Sequence, residues 1–199
     1  NWARGYSWPL FGALFREFAR MLGDLFPGAG SFLDAGCAKG FLVRALRERG
    51  HDARGFDGSA WAIDHADGAA RPFLVRATTD EAAYARRFDV LVAAELLQTL
   101  TEAQIDSFMA RARTWTEVAL VASIPSFESD AEQARYAPRG NDVTHVSMRT
   151  RAWWHARFLA AGWVQDPLHR VVEGQFRGHP LARRMGWKLY VYSPGIAGP

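Results

Sequence analysis

Short apolar runs alternate along the chain with stretches in which apolar residues recur at helical spacing. Residues 88–94 and 118–124 are nearly continuous apolar runs, which are typical of parallel strands buried on both faces. Apolar positions from Leu10 to Leu25 repeat every three or four residues and predict an amphipathic helix. Strand and helix alternate five times before residue 124. This order predicts an α/β fold with a doubly wound sheet and a ligand crevice at the carboxyl ends of its strands.

Further strands are expected at the following places: residues 31–35, 51–57, 72–76, 163–164 and 187–192. Helices are expected after the first strand (41–50), after Ser59, after Thr101 and from residue 149 to 162. Residues 125–148 break this pattern and form a polar insertion at the carboxyl edge of the predicted sheet. Insertions of this length are usually functional or disordered, and we interpret this one as a lid over the substrate.

The composition is that of an ordinary globular protein, with 49% hydrophobic and 23% charged residues in 199 positions. This length predicts a single domain over residues 1–199. The net charge is only +3 and the arginines are scattered, so no nucleic-acid partner is expected. Cys37 is the only cysteine, which excludes an internal disulfide and fits a reducing cytoplasm. No run approaches the twenty or so apolar residues of a membrane span, and no signal peptide is expected.

The first predicted strand leads into a turn of small residues, Gly36-Cys37-Ala38-Lys39-Gly40, and then into a helix. Such a strand, turn and helix open a nucleotide-binding unit, because the turn lets backbone N–H groups approach a ligand. A dinucleotide fingerprint needs glycine at the third and sixth positions, where this chain has Ala38 and Phe41. Asp34, two residues before Gly36, would repel a pyrophosphate and attract a cation such as an α-ammonium group. We therefore expect a positively charged ligand.

The second predicted strand ends in another acid, Asp57. A carboxylate at this position can accept two hydrogen bonds from a ribose diol. An ammonium group and a ribose without a phosphate describe S-adenosylmethionine (SAM). Residues 33–40 resemble the first motif of class I SAM-dependent methyltransferases, and residues 55–59 resemble the acidic loop after their second strand.

This resemblance covers roughly residues 30 to 192 and implies a Rossmann-like fold. Its sheet has seven strands, mostly parallel with an antiparallel last strand, and helices on both faces. It also implies that the chain binds SAM and releases S-adenosylhomocysteine. The residues that it assigns to the cofactor are Tyr6, Asp34, Gly36, Cys37, Ala38, Gly40, Asp57, Gly58, Ser59, Ala77, Thr78, Ala94 and Glu95.

The sequence departs from the family pattern at two loops. Many members have an acid beside Ala77 or Thr78 that binds the adenine amino group, and this chain lacks it at that position. The family also commonly has a histidine where this chain has Thr99. The role of that histidine must therefore be filled by another residue or be absent.

The amino-terminal residues 1–28 are expected to cover the cofactor crevice, with Tyr6 or Trp8 over the bound nucleoside. An alternative of equal weight is that these aromatic side chains only fix the leading helix to the sheet. Cys37 is interpreted as a packing residue within the turn, not as a nucleophile.

Residues 142–145, followed by Arg151 and Trp153-Trp154, are similar to bacterial methyltransferases that act on hydroxyl groups of sugars or secondary metabolites. A hydroxyl must lose its proton, and histidine is the usual base near neutral pH. His145 is the histidine that the topology places in the lid, so it is the predicted catalytic base, with Asp142 orienting it or binding the acceptor. A purely structural hydrogen bond by His145 is the alternative. A metal site of Asp142, His145 and Glu95 is a further alternative, but their spacing matches no ligand motif, so no metal is assigned.

The predicted function is transfer of a methyl group from SAM to a hydroxyl of a small molecule in the bacterial cytoplasm. Methylation of RNA or of another nitrogen, and a non-catalytic SAM-binding module, remain alternatives. Against base methylation, residues 93–96 read Ala-Ala-Glu-Leu and not the Asn/Asp-Pro-Pro-aromatic motif of enzymes that methylate amino groups of bases. A NAD-dependent dehydrogenase is disfavoured by Asp34 and Phe41.

Overall fold

The computed structural model describes residues 5–135, 144–177 and 188–195. Seven strands form one sheet in the order β3-β2-β1-β4-β5-β7-β6. The strands are β1 Ser31–Ala35, β2 Asp52–Asp57, β3 Leu74–Arg76, β4 Phe88–Ala94, β5 Thr116–Ser123, β6 Trp163–Gln165 and β7 Leu189–Pro194. The helices are α1 Trp8–Leu25, α2 Phe41–Glu48, α3 Ala60–Asp64, α4 Glu102–Trp115, α5 Asp130–Ala134, α6 Arg151–Ala160 and α7 Leu168–Arg177. The predicted fold class is confirmed, including the antiparallel last strand.

Residues 1–92 and 93–199 form two compact units. In the first unit, β1 lies parallel to both β2 and β4, and β2 lies parallel to β3. The carboxylate of Asp89 on β4 accepts hydrogen bonds from the backbone N–H groups of Gly30 (2.9 Å) and Ser31 (2.8 Å). It also accepts one from the Ser31 hydroxyl, at 2.9 Å. This carboxylate therefore fixes where β1 begins, and with it the position of the glycine turn at the other end of β1.

The second unit contains the antiparallel strands. β5 pairs with β7, which in turn pairs with β6. The ring of Phe158 on α6 stacks on Tyr192 of β7, with centroids 4.2 Å apart. Thr101 and Gln104 form a capping box that starts α4, and the Thr150 hydroxyl caps α6. The prediction of a single domain over 1–199 stays a prediction.

Three elements differ from the sequence-based expectation. The strand predicted from Pro72 begins only at Leu74, because proline lacks the N–H that a strand needs and instead belongs to a 3₁₀ turn, Arg71–Phe73. The insertion 125–148 contains the short helix α5, which Ser129 caps. Helix α7 was not expected. Asp142, predicted in the same insertion, lies outside the described residues.

We predict that Gly40→Ala destabilises the protein by about 3 kcal/mol, whereas Gly68→Ala changes its stability by less than about 1 kcal/mol. Gly40 has φ 77°, and a Cβ atom there would lie 2.7 Å from Leu74 Cδ1 and 2.8 Å from Ala70 Cβ. Gly68 is exposed and has nothing within 4 Å of such an atom. Urea denaturation of both variants measures the difference. Equal stabilities would show that the turn has room for a side chain.

Candidate active site

The glycine turn between β1 and α2 has an unusual backbone. Gly36 and Gly40 have φ 74° and 77°, and Ala38 has φ 48°, a conformation that non-glycine residues seldom adopt. The N–H groups of Gly36 and Cys37 both donate to the Phe56 carbonyl, at 2.9 and 3.0 Å. The turn is therefore held against the end of β2, the strand that carries Asp57.

Asp57 connects the turn to the loop that follows β2. One carboxylate oxygen accepts the N–H of Ala38 at 2.8 Å, and the other accepts the N–H of Ser59 at 2.7 Å. Ser59 in turn caps α3 through its hydroxyl. The sequence analysis assigned Asp57 to a ribose diol and missed this structural role. An ionised carboxylate has about four lone-pair positions, so these two bonds leave room for two more.

Asp34 is the buried acid of this unit, with only 4% of its surface exposed. Burial raises the pKa of its carboxyl well above the ordinary value, and the nearby charge of Asp57 raises it further. Cys37 is also buried, and its pKa is raised for the same reason, which does not favour a thiolate nucleophile. If Gly55 carried a Cβ atom, that atom would lie 2.8 Å from the Cβ atom of Cys37, so the Cys37 side chain packs directly against β2.

Tyr6 lies beside the glycine turn. Its ring is 4.6 Å from that of Phe41 and 5.1 Å from that of Phe11, measured between centroids. Burial raises the pKa of its hydroxyl, and the charge of Asp34 raises it further. Lys39 in the turn donates to the Tyr6 carbonyl at 3.0 Å. The structure thus brings Tyr6 to the predicted cofactor residues and at the same time packs it on Phe41.

A cavity of about 710 Å³ adjoins this region. Its lining includes three predicted residues, Gly58, Ala77 and Thr78, and also Glu81. The Glu81 carboxylate accepts both the N–H and the hydroxyl hydrogen of Thr78, each at 2.9 Å. Glu81 therefore provides an acid at this cavity. It lies three residues after Thr78, beside which the family pattern predicts an acid.

In the second unit, Glu95 follows β4 with φ 57°. One of its carboxylate oxygens accepts from the Ser123 hydroxyl at 2.6 Å, and the other accepts from the Gln98 amide at 3.0 Å. Burial raises the pKa of Glu95 to about 7, although both hydrogen bonds act in the opposite direction. The sequence analysis named Glu95 and Ala94 but not these partners, of which Ser123 is 28 positions away.

His145 is half-buried and lies two residues before Ser147. Ser147 donates its N–H to the Gln98 carbonyl at 2.9 Å and its hydroxyl to the Leu100 carbonyl at 2.6 Å. The segment that carries His145 is therefore fixed to the turn that follows Glu95. Within residues 5–135, 144–177 and 188–195, no three acidic, cysteine or histidine side chains are grouped so that they could hold a metal.

Comparison with known proteins gives this geometry a context. The family model described as a methyltransferase domain matches residues 9–166. The chain belongs to this methyltransferase family. The predicted resemblance and enzyme class are thereby confirmed. No curated protein matches the chain.

Solved structures of methyltransferases share the fold. A protein of Nostoc punctiforme PCC 73102, named as a candidate O-methyltransferase, is 16% identical with a TM-score of 0.66. The match covers 93% of this chain but only 57% of that protein. A Burkholderia thailandensis 1,6-didemethyltoxoflavin N1-methyltransferase is 17% identical (TM-score 0.64; 93% and 80% of the two chains). A Micromonospora echinaspora amino pentose methyltransferase is 16% identical (TM-score 0.64; 96% and 93%). At these identities the likeness concerns the fold alone.

Among the described helices of this methyltransferase, none combines the length and apolar character that a membrane span requires.

We predict that Glu95→Gln becomes progressively more stable than the wild type as the pH rises. The folded-state pKa of Glu95, about 7, lies above its ordinary value of 4.5, so ionisation costs more in the folded than in the unfolded protein. This penalty is absent below the unfolded pKa and grows as the pH rises from 4.5 to 7. Between pH 5 and pH 8 the difference in unfolding free energy between variant and wild type should increase by about 2 kcal/mol.

Urea denaturation at both pH values measures this difference, with Glu117→Gln as the matched control. Glu117 is exposed on β5, so Glu117→Gln reports the effect of the same exchange at an exposed position. A Glu95→Gln difference that changes no more with pH than the Glu117→Gln difference would contradict the raised pKa.

Proposed function

We propose that this methyltransferase transfers a methyl group from SAM to a hydroxyl group of a small molecule, a sugar or a secondary metabolite. The observation that carries the cofactor assignment is the buried carboxylate of Asp34 beside the glycine turn. A carboxylate that burial has stripped of water is stabilised by a bound cation, and SAM offers an ammonium and a sulfonium. A pyrophosphate at the glycine turn would instead be repelled by Asp34.

The residues around Asp34 fit the remaining groups of SAM. The lone pairs that Asp57 does not use can accept hydrogen bonds from the ribose diol. The cavity lined by Gly58, Ala77 and Thr78 suits the adenine. Gly36, Cys37, Ala38, Gly40 and Ser59 shape the turn and loop, and Tyr6 lies beside the turn, where Lys39 donates to its carbonyl. Ala94 and Glu95 are assigned to the cofactor by the sequence resemblance alone. SAM supplies the electrophilic methyl group, and the protein orients the acceptor, excludes water and accepts a proton.

A hydroxyl acceptor is supported by the resemblance of residues 142–154 to sugar and secondary-metabolite methyltransferases. Two of the solved structures are named for small-molecule substrates, an amino pentose and 1,6-didemethyltoxoflavin. The latter enzyme is an N-methyltransferase by name, so methylation of nitrogen is the main alternative outcome. A nucleic-acid partner is disfavoured because residues 93–96 read Ala-Ala-Glu-Leu. They lack the Asn-Pro-Pro-aromatic motif with which enzymes that methylate amino groups of bases bind a flipped base.

The experiment that tests this function follows the label of methyl-labelled SAM into an extract separated into small metabolites, glycans, RNA and protein. We expect label in the small-molecule or glycan fraction. Asp57→Ala should abolish the transfer, since it loses the carboxylate that orders the turn and binds the ribose. Label in RNA would contradict the proposal, and binding of SAM without any transfer would favour a non-catalytic module.

We further propose that His145 accepts the proton of the hydroxyl, with Asp142 as its partner. The anchored segment next to Ser147 supports a fixed position for His145. His145→Ala should lower kcat on the labelled acceptor by at least about a hundredfold. His65→Ala is the control, because His65 is exposed at the carboxyl end of the short helix Ala60–Asp64 and its ring bonds to the Trp61 carbonyl. Near-normal turnover of His145→Ala would exclude His145 as the base.

A further inference from the structure

Glu95 has a backbone conformation that suggests a functional constraint. A φ of 57° is strained for a residue with a long side chain, and such strain persists only where the surroundings impose it. Here the N–H of Glu95 donates to the Ser123 carbonyl at 3.0 Å, which fixes the backbone at the carboxyl end of β4. The strained turn places the carboxylate in a defined position after the strand.

The carboxylate itself is held by two neutral groups. Ser123 at the end of β5 and Gln98 in the 3₁₀ turn Leu97–Thr99 each donate to a different oxygen. Each oxygen therefore keeps a lone pair that can accept another hydrogen bond. The pKa of about 7 reflects a desolvated carboxylate that hydroxyl and amide donors alone stabilise incompletely.

Gln98 provides a second, independent observation. Its side chain is buried, with 1% of the residue exposed, and its amide nitrogen is used by Glu95. Its amide oxygen has no hydrogen-bond partner within the part of the chain that the structure describes. A buried carbonyl without a donor is costly and uncommon in folded proteins. Since the amide oxygen and nitrogen share one carbon, this oxygen lies within about 5 Å of the Glu95 carboxylate.

We propose that Glu95 and Gln98 bind the methyl acceptor, by accepting hydrogen bonds from two neighbouring donor groups of it, hydroxyl or ammonium. This inference rests on the proposed function and names the acceptor's chemistry: a vicinal diol or an amino alcohol. Ser123 is a positioning residue, because it touches Glu95 and orients it. The free positions on the Gln98 amide oxygen and on ionised Glu95 are both hydrogen-bond acceptors, so a substrate with a single isolated donor would leave one of them unpaired.

The proposed acceptor site is also connected to the segment that carries His145. The Gln98 backbone carbonyl accepts the N–H of Ser147, so the residue that binds the acceptor also anchors this segment. Binding through Glu95 and Gln98 is therefore compatible with a proton acceptor on the anchored segment.

The test measures kinetics on the compound that the wild type labels in the extract. Glu95→Gln and Gln98→Met should each raise its KM at least about tenfold, the loss expected for one buried hydrogen bond. Affinity for S-adenosylhomocysteine, measured by calorimetry, should stay within twofold. The control Glu117→Gln, exposed at the opposite end of β5 from Ser123, should change neither quantity.

Chemical treatment of the same compound tests its class without knowledge of its structure. Periodate cleaves vicinal diols and amino alcohols, so oxidation should abolish its labelling by the wild type. Acetic anhydride in aqueous bicarbonate acetylates amines and spares hydroxyls. Loss of labelling after this treatment would identify the ammonium form, and retention would identify the diol.

The outcomes separate this inference from the function on which it rests. If the wild type labels nothing, the proposed function itself fails. If the wild type labels a compound and both variants keep its KM, or if periodate leaves its labelling intact, the acceptor site is wrong. Loss of S-adenosylhomocysteine affinity in the Glu95 variant would also overturn the inference, because Glu95 would then bind the cofactor. Loss of wild-type activity in a chelator, with recovery in magnesium, would overturn it as well, because Glu95 would then bind a metal.

Discussion

The first unit depends on one carboxylate, that of Asp57, which is shared between two loops. Without it, the N–H of Ala38 and the N–H of Ser59 would lose their acceptor, and a turn with three positive φ angles would lose a main restraint. Charge-assisted hydrogen bonds of this kind are stronger than neutral ones. The same carboxylate lies close enough to Asp34 to raise its pKa. The Asp57 side chain therefore orders the turn and strengthens the attraction of a cation to the site beside Asp34.

The second unit contains a carboxylate, that of Glu95, whose surroundings differ from those of Asp57. Asp57 receives two backbone N–H groups, whereas Glu95 receives a hydroxyl and a side-chain amide. Glu95 is half-buried, so its pKa rises, and its backbone is strained. An acid with these properties does not stabilise the fold in its ionised form. A ligand that completes its hydrogen bonds would offset this cost.

The sequence was sufficient for features whose cause is local. The bounds of β4 follow from a continuous apolar run, and the acids at the ends of β1 and β2 follow from their positions before and after the glycine turn. The late start of β3 could also have been read from Pro72, which cannot donate to a neighbouring strand. Contacts across long separations could not be predicted. Nothing near Glu95 in sequence indicates Ser123, and nothing near Asp57 shows that one of its oxygens accepts the N–H of Ala38, 19 positions earlier.

The turn after β4 contains Thr99 at a position where the resemblance of the sequence to class I methyltransferases predicts histidine. The Thr99 hydroxyl donates to the Leu96 carbonyl at 2.7 Å and so closes its own turn. A neutral hydroxyl is also too weak a base to take a proton from a substrate hydroxyl. In the proposed function this proton goes to His145, outside the turn. Glu95 and Gln98 remain in the turn with acceptor oxygens that a substrate can use.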